Sequence, residues 1–492
     1  MVNILVETCY FLLLFYKLLV QIYTLLTMNK SKPKIGLLGL MQELYDDMIP
    51  GITRHQEDYI EKVIEKLKAS VDISFPGAAR NRADVEKFTK KFHDEGMAGI
   101  MVVNLVYGPG VNLVRALQNN RLPLLLANIQ PEVSVSLDWD MNDLTYNQGI
   151  HGMQDTSNTI IRTLGNNFSV ITEDWRSDVF EEYVSDWSKA AQTAHELKKM
   201  KIAWFGKMNG MHDTITDFSA LMRVLGPEIR EERMGDVHRH MESLTDQEVN
   251  AQMVEDKKVY TIDKDLPKES HEHAVKIMLA FEKVLETGAY AGYSANFDVF
   301  KGDGRFKQIG LLAASNLMAK GYGYGAEGDV NSTTLVCAGN ILCGMANFTE
   351  MYAMDFKRNS MLMSHMGEGN WKFARKDKPV RLANRELGIG NLDNPPTPVF
   401  MVEPGEATIT SLVPMKGDHF RLVAMKGKVL DTEEHPNIEM PYFHFSPDSG
   451  VRNANTGWLK AGGSHHQAML MGNQLRKWQL LCEILGVEYV EV

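Results

Sequence analysis

From Lys34 onward the chain alternates between two textures of apolar and polar positions. Short runs that are apolar at nearly every position give way to longer stretches in which apolar residues recur every third or fourth place. KIGLLGLM (34–41) is a run of the first kind; QEDYIEKVIEKLKAS (56–70) is one of the second, with Tyr59, Val63 and Leu67 at helical spacing. VDISFPG reads as a strand closed by Pro76 and Gly77, and RADVEKFTKKFHDEGM as a helix with Val85, Phe88 and Phe92 on one face and Gly96 as its C-cap. AGIMVVNLVYGPG is apolar on both faces, as a parallel strand covered on two sides would be. This βαβα order predicts a doubly wound parallel sheet.

The same rhythm restarts near Lys201. KIAWFGKMNG predicts a strand running into a loop, SHEHAVKIMLAFEKVLETG an amphipathic helix, and AGYSANFDVF with QIGLLAASNLMAKGYGYG a further strand and helix. After about residue 350 the pattern changes to period two, punctuated by Pro and Gly, in NPPTPVFMVEPGEATITSLVP and HFRLVAMKGKVL. Such patterning predicts antiparallel strands in a small barrel or sandwich. QLRKWQLLCEILG is expected to close the chain as a helix, with Leu475, Trp478, Leu481, Cys482 and Leu485 on one face. The stretch after the paired histidines in KAGGSHHQAML has the look of a helix as well. The expected organisation is an α/β unit over 28–197, a second over 198–348, and a β-rich unit with a terminal helix over 349–492. Both α/β units are of the Rossmann-like, doubly wound kind.

Residues 1–27 stand apart. They are apolar, lack a basic start and a small-residue cleavage site, and are broken by Lys17, so they suit neither a signal peptide nor a full membrane span. The expectation is an extension outside the fold, ahead of an ordinary start at Met28, with a membrane anchor as the weaker alternative. Composition is that of a globular protein: 492 residues, 44% hydrophobic and 23% charged. The net charge of −11 comes without a basic stripe, which argues against a nucleic-acid partner. Four cysteines, none in a CxxC pair, exclude a zinc ribbon or a disulfide framework and point to a reducing, cytoplasmic setting.

Metal-capable side chains concentrate in four segments. Glu327 lies in GYGYGAEGDV, Glu350 in GMANFTEMYAMDF, His365 with Glu368 in MLMSHMGEGN, and His465 with His466 in GGSHHQAML. Singly, each has a plain explanation. Glu327 could sit in a solvated turn, His365 could be a satisfied core histidine, and the His-His pair could be surface decoration. Glu350 is harder to dismiss, because its surroundings read as buried and a carboxylate is seldom buried without a partner. Two glutamates and two histidines together would suit one hard divalent ion, and Mn²⁺ fits such an oxygen and nitrogen set. GYGYGAEG lacks the spacing and the Lys-Ser/Thr pair of a phosphate loop, and no G-x-S-x-G element supports a serine hydrolase.

These segments resemble the L-arabinose isomerases, which belong with the L-fucose isomerase-like proteins. The family's metal glutamates correspond to Glu327 in GYGAEGD and Glu350 in FTEMY, and its metal histidines to His365 in MSHMGEG and His466 in GGSHHQ. Upstream, Gln42, Leu44 and Tyr45 match a Q-x-L-Y element, NQGIHG supplies Gln148 and His151, and SANF supplies Phe297. The resemblance implies a sugar site formed with Gln42, Leu44, Tyr45, Gln148, His151 and Phe297. It also implies a homo-oligomer, a hexamer in the family, in which His151 reaches a neighbour's site. Departures are Asp355 in AMDF where better-known members read Y-H-F, GEGNWKFARK in place of the commoner L-E-V-C-P-S, and two methionines, Met208 and Met211, competing for one position near the sugar.

The activity implied is aldose–ketose isomerisation, from L-arabinose to L-ribulose. A divalent ion would stabilise the enediolate, while Glu327 and Glu350 act as acid and base between C1 and C2. Gln42, Gln148 and His151 would bond sugar hydroxyls, and Phe297 would give an apolar wall. Two alternatives remain open: a related isomerase acting on L-fucose, D-arabinose or D-galactose, and a non-catalytic sugar-binding protein.

Overall fold

The computed structural model describes residues 32–165 and 168–492, so the expectation for residues 1–27 falls outside it. The chain forms two compact units: residues 32–196 with 476–486, and residues 197–475 with 487–492.

The first unit is built on a parallel sheet. Strands Asp72–Ser74, Lys34–Leu40, Gly99–Asn104, Leu124–Asn128 and Ser169–Thr172 lie in that order, and Ala78–Ala79 also pairs with Lys34–Leu40. All six residues of Gly99–Asn104 are buried, which explains its unbroken apolar run. Helices Ile52–Leu67 and Arg82–Asp94 turn their apolar stripes to the sheet, burying Tyr59, Val63 and Leu67 on one and Val85, Phe88 and Phe92 on the other. Gly36 is required for close packing: a methyl there would enter the Phe92 ring. The strand order reverses direction between Lys34–Leu40 and Gly99–Asn104, a switch point whose carboxyl ends open a crevice.

Helix Leu475–Leu485 belongs to this unit: Trp478 and Cys482 are buried, Arg476 pairs with Asp186 at 2.5 Å, and Glu483 accepts a hydrogen bond from Ser169 at 3.0 Å. It is not the end of the chain, as the pattern suggested. Strand Glu488–Glu491 follows it and joins Phe420–Val429 in parallel.

The second unit holds another parallel sheet, in the order Gly323–Ala326, Gly292–Ala295, Lys201–Phe205, Glu228–Glu231. Its other layer is antiparallel. Strands Gly405–Pro414, His466–Met471, Asn347–Asp355, Ser360–Ser364, Tyr442–Pro447 and Phe420–Val429 pair in sequence, and the last pairs back to the first over ten residues. The sheet is thus a closed six-stranded barrel, packed with Met361, Met363, Ile409, Val423, Met425, Phe445 and Met469. The run after the paired histidines is a strand, not a helix. Gln, Ala, Met and Leu favour a helix locally, but His466–Met471 is hydrogen-bonded to a barrel strand on each side, and tertiary pairing overrides propensity. Among the described residues no helix is long and apolar enough to cross a membrane.

Candidate active site

Strand register places the first donors. In the barrel, Glu350 stands directly opposite His466 on one neighbour and Ser364 on the other, and His365 follows Ser364. Directly opposed residues share a face and lie about 5 Å apart. The pairing shifts just past this point, between Met351 and Ala353, as β-bulges beside functional sites often do. Phe348, two residues before Glu350 on the same face, is buried against both imidazoles, with ring centroids 4.8 Å from His365 and 5.0 Å from His466.

The parallel sheet supplies the rest. Glu327 directly follows strand Gly323–Ala326, Phe297 lies two residues beyond Gly292–Ala295, and Met208 three beyond Lys201–Phe205. These three carboxyl ends adjoin, where ligands gather in α/β sheets. Glu327 has φ +62, an unusual conformation for a residue with a side chain, and its carbonyl accepts a hydrogen bond from Met208 N–H at 2.9 Å. Of the two competing methionines, Met208 is the one tied to this glutamate.

The candidate donor atoms come together in pairs. His466 Nε2 lies 3.4 Å from Glu327 Oε2, and His365 Nε2 lies 3.8 Å from Glu350 Oε2. His465 bridges the two glutamates, with Nε2 3.6 Å from Glu327 and 4.0 Å from Glu350. Glu327, His465 and His466 alone place three donor atoms within 4.8 Å of one another. His466 Nε2 is buried without a hydrogen-bond partner, and an orphaned imidazole nitrogen beside carboxylates fits a divalent cation. Glu350 is less buried than its sequence context suggested, with 22% of its side chain exposed, which leaves it open to a substrate.

Three carboxylates stand behind the imidazoles. Asp329 accepts from His466 Nδ1–H at 3.0 Å, Asp213 accepts from His465 Nδ1–H at 2.6 Å, and Glu368 lies 2.9 Å from His365 Nδ1. Glu368 also accepts from the Tyr324 hydroxyl at 2.8 Å. Such partners set which ring nitrogen faces inward. Charge follows from this layout. Burial raises the Glu327 carboxyl, but the neighbouring His465 and His466 imidazoles outweigh it and hold the group well below the usual range. Burial lowers His466, but Asp329 and Glu327 prevail and lift it to about 9. His465 is likewise lifted to about 10 by Asp213 and Glu327 against its burial, while its hydrogen bond brings Asp213 down to about 2.

The sequence-predicted sugar residues fall into two places. Phe297 is buried in the second unit, with its ring centroid 6.4 Å from that of His365. Gln42, Leu44 and Tyr45 follow the carboxyl end of Lys34–Leu40 at the first unit's switch point. There the Gln148 side chain lies beside the Tyr45 hydroxyl, and His151 lies exposed in the first turn of helix Gly149–Leu164. Leu44 is also exposed, at 51%.

Family models for the N-terminal, central and C-terminal domains of L-arabinose isomerase match residues 30–199, 201–345 and 345–488. The chain belongs to the L-arabinose isomerase family. It is accordingly an aldose–ketose isomerase. The L-arabinose isomerase of Shouchella clausii is 26% identical over 462 residues, covering 92% of this chain and 93% of its own. That of Clostridium beijerinckii is 27% identical over 461 residues, covering 88% and 91%, and that of Bacillus subtilis 28% over 417, covering 81% of each. Among solved structures, a periplasmic sugar-binding protein from Legionella pneumophila covers 63% of this chain and 94% of its own at 10% identity, with a TM-score of 0.17, too slight a likeness to bear on the site.

Within this L-arabinose isomerase framework, two departures from the better-known sequences have local explanations. Asp355 holds the hairpin turn: it accepts from the backbone of Lys357 and Arg358 and pairs with the Arg358 guanidinium at 2.7 Å. In GEGNWK, Glu368 backs His365, and Asn370 caps the short helix Trp371–Phe373 through Lys372 N–H. Sequence reasoning had passed over Asp213 and Asp329 altogether. For Asp329 a signal existed, since it sits two residues after Glu327 and opens helix Val330–Cys343 as its N-cap.

Proposed function

We propose that this isomerase interconverts L-arabinose and L-ribulose, with Glu327, Glu350, His365 and His466 holding one divalent cation, for which Mn²⁺ suits the mixed donors. The observation that carries the reading is two Glu–His pairs drawn from four separate segments, His466 beside Glu327 and His365 beside Glu350, brought next to each other by the pairing of Glu350 opposite His466, with His466 Nε2 buried and without a hydrogen-bond partner. When bound, such a cation supplies positive charge to the two sugar oxygens beside the reacting carbons. Glu327 and Glu350, both within 4.0 Å of His465 Nε2, move the proton between C1 and C2 of the open-chain sugar. Phe297 offers an apolar wall next to His365. Phe348 seals the imidazoles from the barrel side and excludes water behind them.

Gln42, Leu44, Tyr45, Gln148 and His151 complete a sugar site in a homo-oligomer, where His151 serves a neighbouring subunit. Support comes from the surface before the helix that bears His151: Val133, Val135, Leu137, Met141 and Leu144 are all more than half exposed. Single exposed apolar residues are ordinary, whereas five so close together in the chain favour an interface. A cytoplasmic location accords with the buried thiols of Cys337 and Cys482.

The deciding experiment measures ketose formation from a panel of aldoses after chelation and after Mn²⁺ add-back. L-Arabinose should be the preferred substrate, with activity lost on chelation and restored by Mn²⁺. Activity indifferent to the chelator would remove the cation, and preference for L-fucose, D-arabinose or D-galactose would reassign the substrate.

A further inference from the structure

His465 has no role in the four-donor site, yet it is held as firmly as the two histidines that do. Asp213 Oδ2 accepts two hydrogen bonds from it, from the backbone N–H at 3.0 Å and from Nδ1–H at 2.6 Å. An ionised carboxylate can only accept, so Nδ1 carries a proton and Nε2 is the ring nitrogen left to face Glu327 and Glu350. The arrangement repeats the pairing of His466 with Asp329. Exposure separates the three imidazoles. The side chains of His365 and His466 are 1% and 0% exposed, whereas that of His465 is 31% exposed. His465 therefore stands at the open side of the cluster.

We propose that Asp213 is a positioning residue for the isomerisation: it holds the His465 ring so that Nε2 meets a sugar oxygen at the open side of the site. This rests on the cation-dependent isomerase reading above. Glu327, Glu350, His365 and His466 would hold the cation, which would supply positive charge to the sugar oxygens; His465, at the open side, would be left to act on the sugar beside it. The loop carrying Asp213 is anchored where this requires. Met208 N–H bonds the Glu327 carbonyl at 2.9 Å, and the indole N–H of Trp204 bonds the Gly328 carbonyl at 3.1 Å. At its far end Asp217 caps helix Phe218–Val224.

The test compares wild type, Asp213→Ala and Asp213→Asn as full chains. Four quantities are measured: kcat and KM on L-arabinose at saturating Mn²⁺, the Kd of Mn²⁺, the calorimetric Kd of L-arabitol (an open-chain polyol without the carbonyl), and the thermal unfolding midpoint. Asp213→Ala should lower kcat/KM roughly 10–100-fold and weaken L-arabitol about 10-fold, the range seen when a residue orienting an imidazole is lost. Its Mn²⁺ Kd should stay within about threefold, and its unfolding midpoint should fall by only a few degrees, since both side chains are part-exposed. Asp213→Asn should recover much of the loss, because its amide oxygen still accepts from Nδ1–H. Asp213 would be overturned by Asp213→Ala with kcat/KM within about twofold of wild type. Mn²⁺ affinity falling in step with kcat/KM would overturn it too, since His465 would then bind the ion. So would an Asn variant no better than Ala. A wild-type chain that binds no Mn²⁺ would instead overturn the isomerase reading, and Asp213's role with it.

Discussion

Asp329 does two jobs with two oxygens, and substitution can separate them. Its Oδ1 caps helix Val330–Cys343, accepting from Asn331 N–H at 2.9 Å and Ser332 N–H at 3.2 Å. Its Oδ2 accepts from His466 Nδ1–H at 3.0 Å, and the side chain is 1% exposed, so water cannot replace it. Asp329→Ala loses the cap, a cost of about 1 kcal/mol. It also strands a buried N–H, at about 1–3 kcal/mol. The total is a destabilisation of about 2–4 kcal/mol. Asp329→Asn keeps the cap, because asparagine caps as well as aspartate. Its oxygen is then used by the backbone, and its NH₂ group faces His466 Nδ1. A donor there forces the ring proton onto Nε2, the nitrogen turned toward Glu327, and removes the lone pair a cation needs.

Both variants should therefore lose Mn²⁺ affinity by roughly 10–100-fold, while Asp329→Asn remains about 1 kcal/mol more stable than Asp329→Ala. Urea denaturation of the chelated protein measures the stability difference, and calorimetric titration with Mn²⁺ measures affinity. The stability arm needs no cation. Asp329→Asn binding Mn²⁺ as tightly as wild type would refute the orienting role, and Ala as stable as Asn would refute the cap.

Glu327→Gln should retain the fold and lose isomerisation; near-normal turnover would take Glu327 out of the proton transfer. In the chelated protein, His466 sits at about 9 against an ordinary 6.5, so its contribution is complete below pH 6.5 and is lost as pH rises through 9. The stability gap between wild type and His466→Gln, up to about 3 kcal/mol at neutral pH, should close between pH 7 and 10; a gap that widens with pH would contradict the ion pairing. Gly325→Ala should destabilise by about 1–3 kcal/mol or more, since the added methyl would run into the Asp329 carbonyl and the Ser332 and Thr333 hydroxyls; an unchanged unfolding midpoint would show that this strand end can yield.

The alternation of apolar strands and striped helices was legible because each parallel strand is buried on both faces, as Gly99–Asn104 shows. The four candidate donors stood out as carboxylates and imidazoles inside apolar or Gly-rich stretches, and the choice of His466 over His465 came from the family resemblance. The residues that orient them were not legible, because orientation comes from partners distant in sequence. Asp213 meets His465 across 252 positions, and Asp329 meets His466 across 137. The strand after the His-His pair was misread because its residues are good helix formers, and its identity depends on two neighbours that only the closed barrel supplies.

Register decides the site as much as residue type does. Alternation along Asn347–Asp355 indicates a strand but not which residue opposes His466. A slip of one position would turn Glu350 to the other face and set Thr349 or Met351 in its place. Phe348 guards against that slip, since its ring packs on the same two imidazoles and would move with it. The barrel's core packing and the site's geometry are therefore held by one set of pairings. It follows that substitutions at Phe348 or its cross-strand partner Ala468 should perturb the donors before they unfold the barrel.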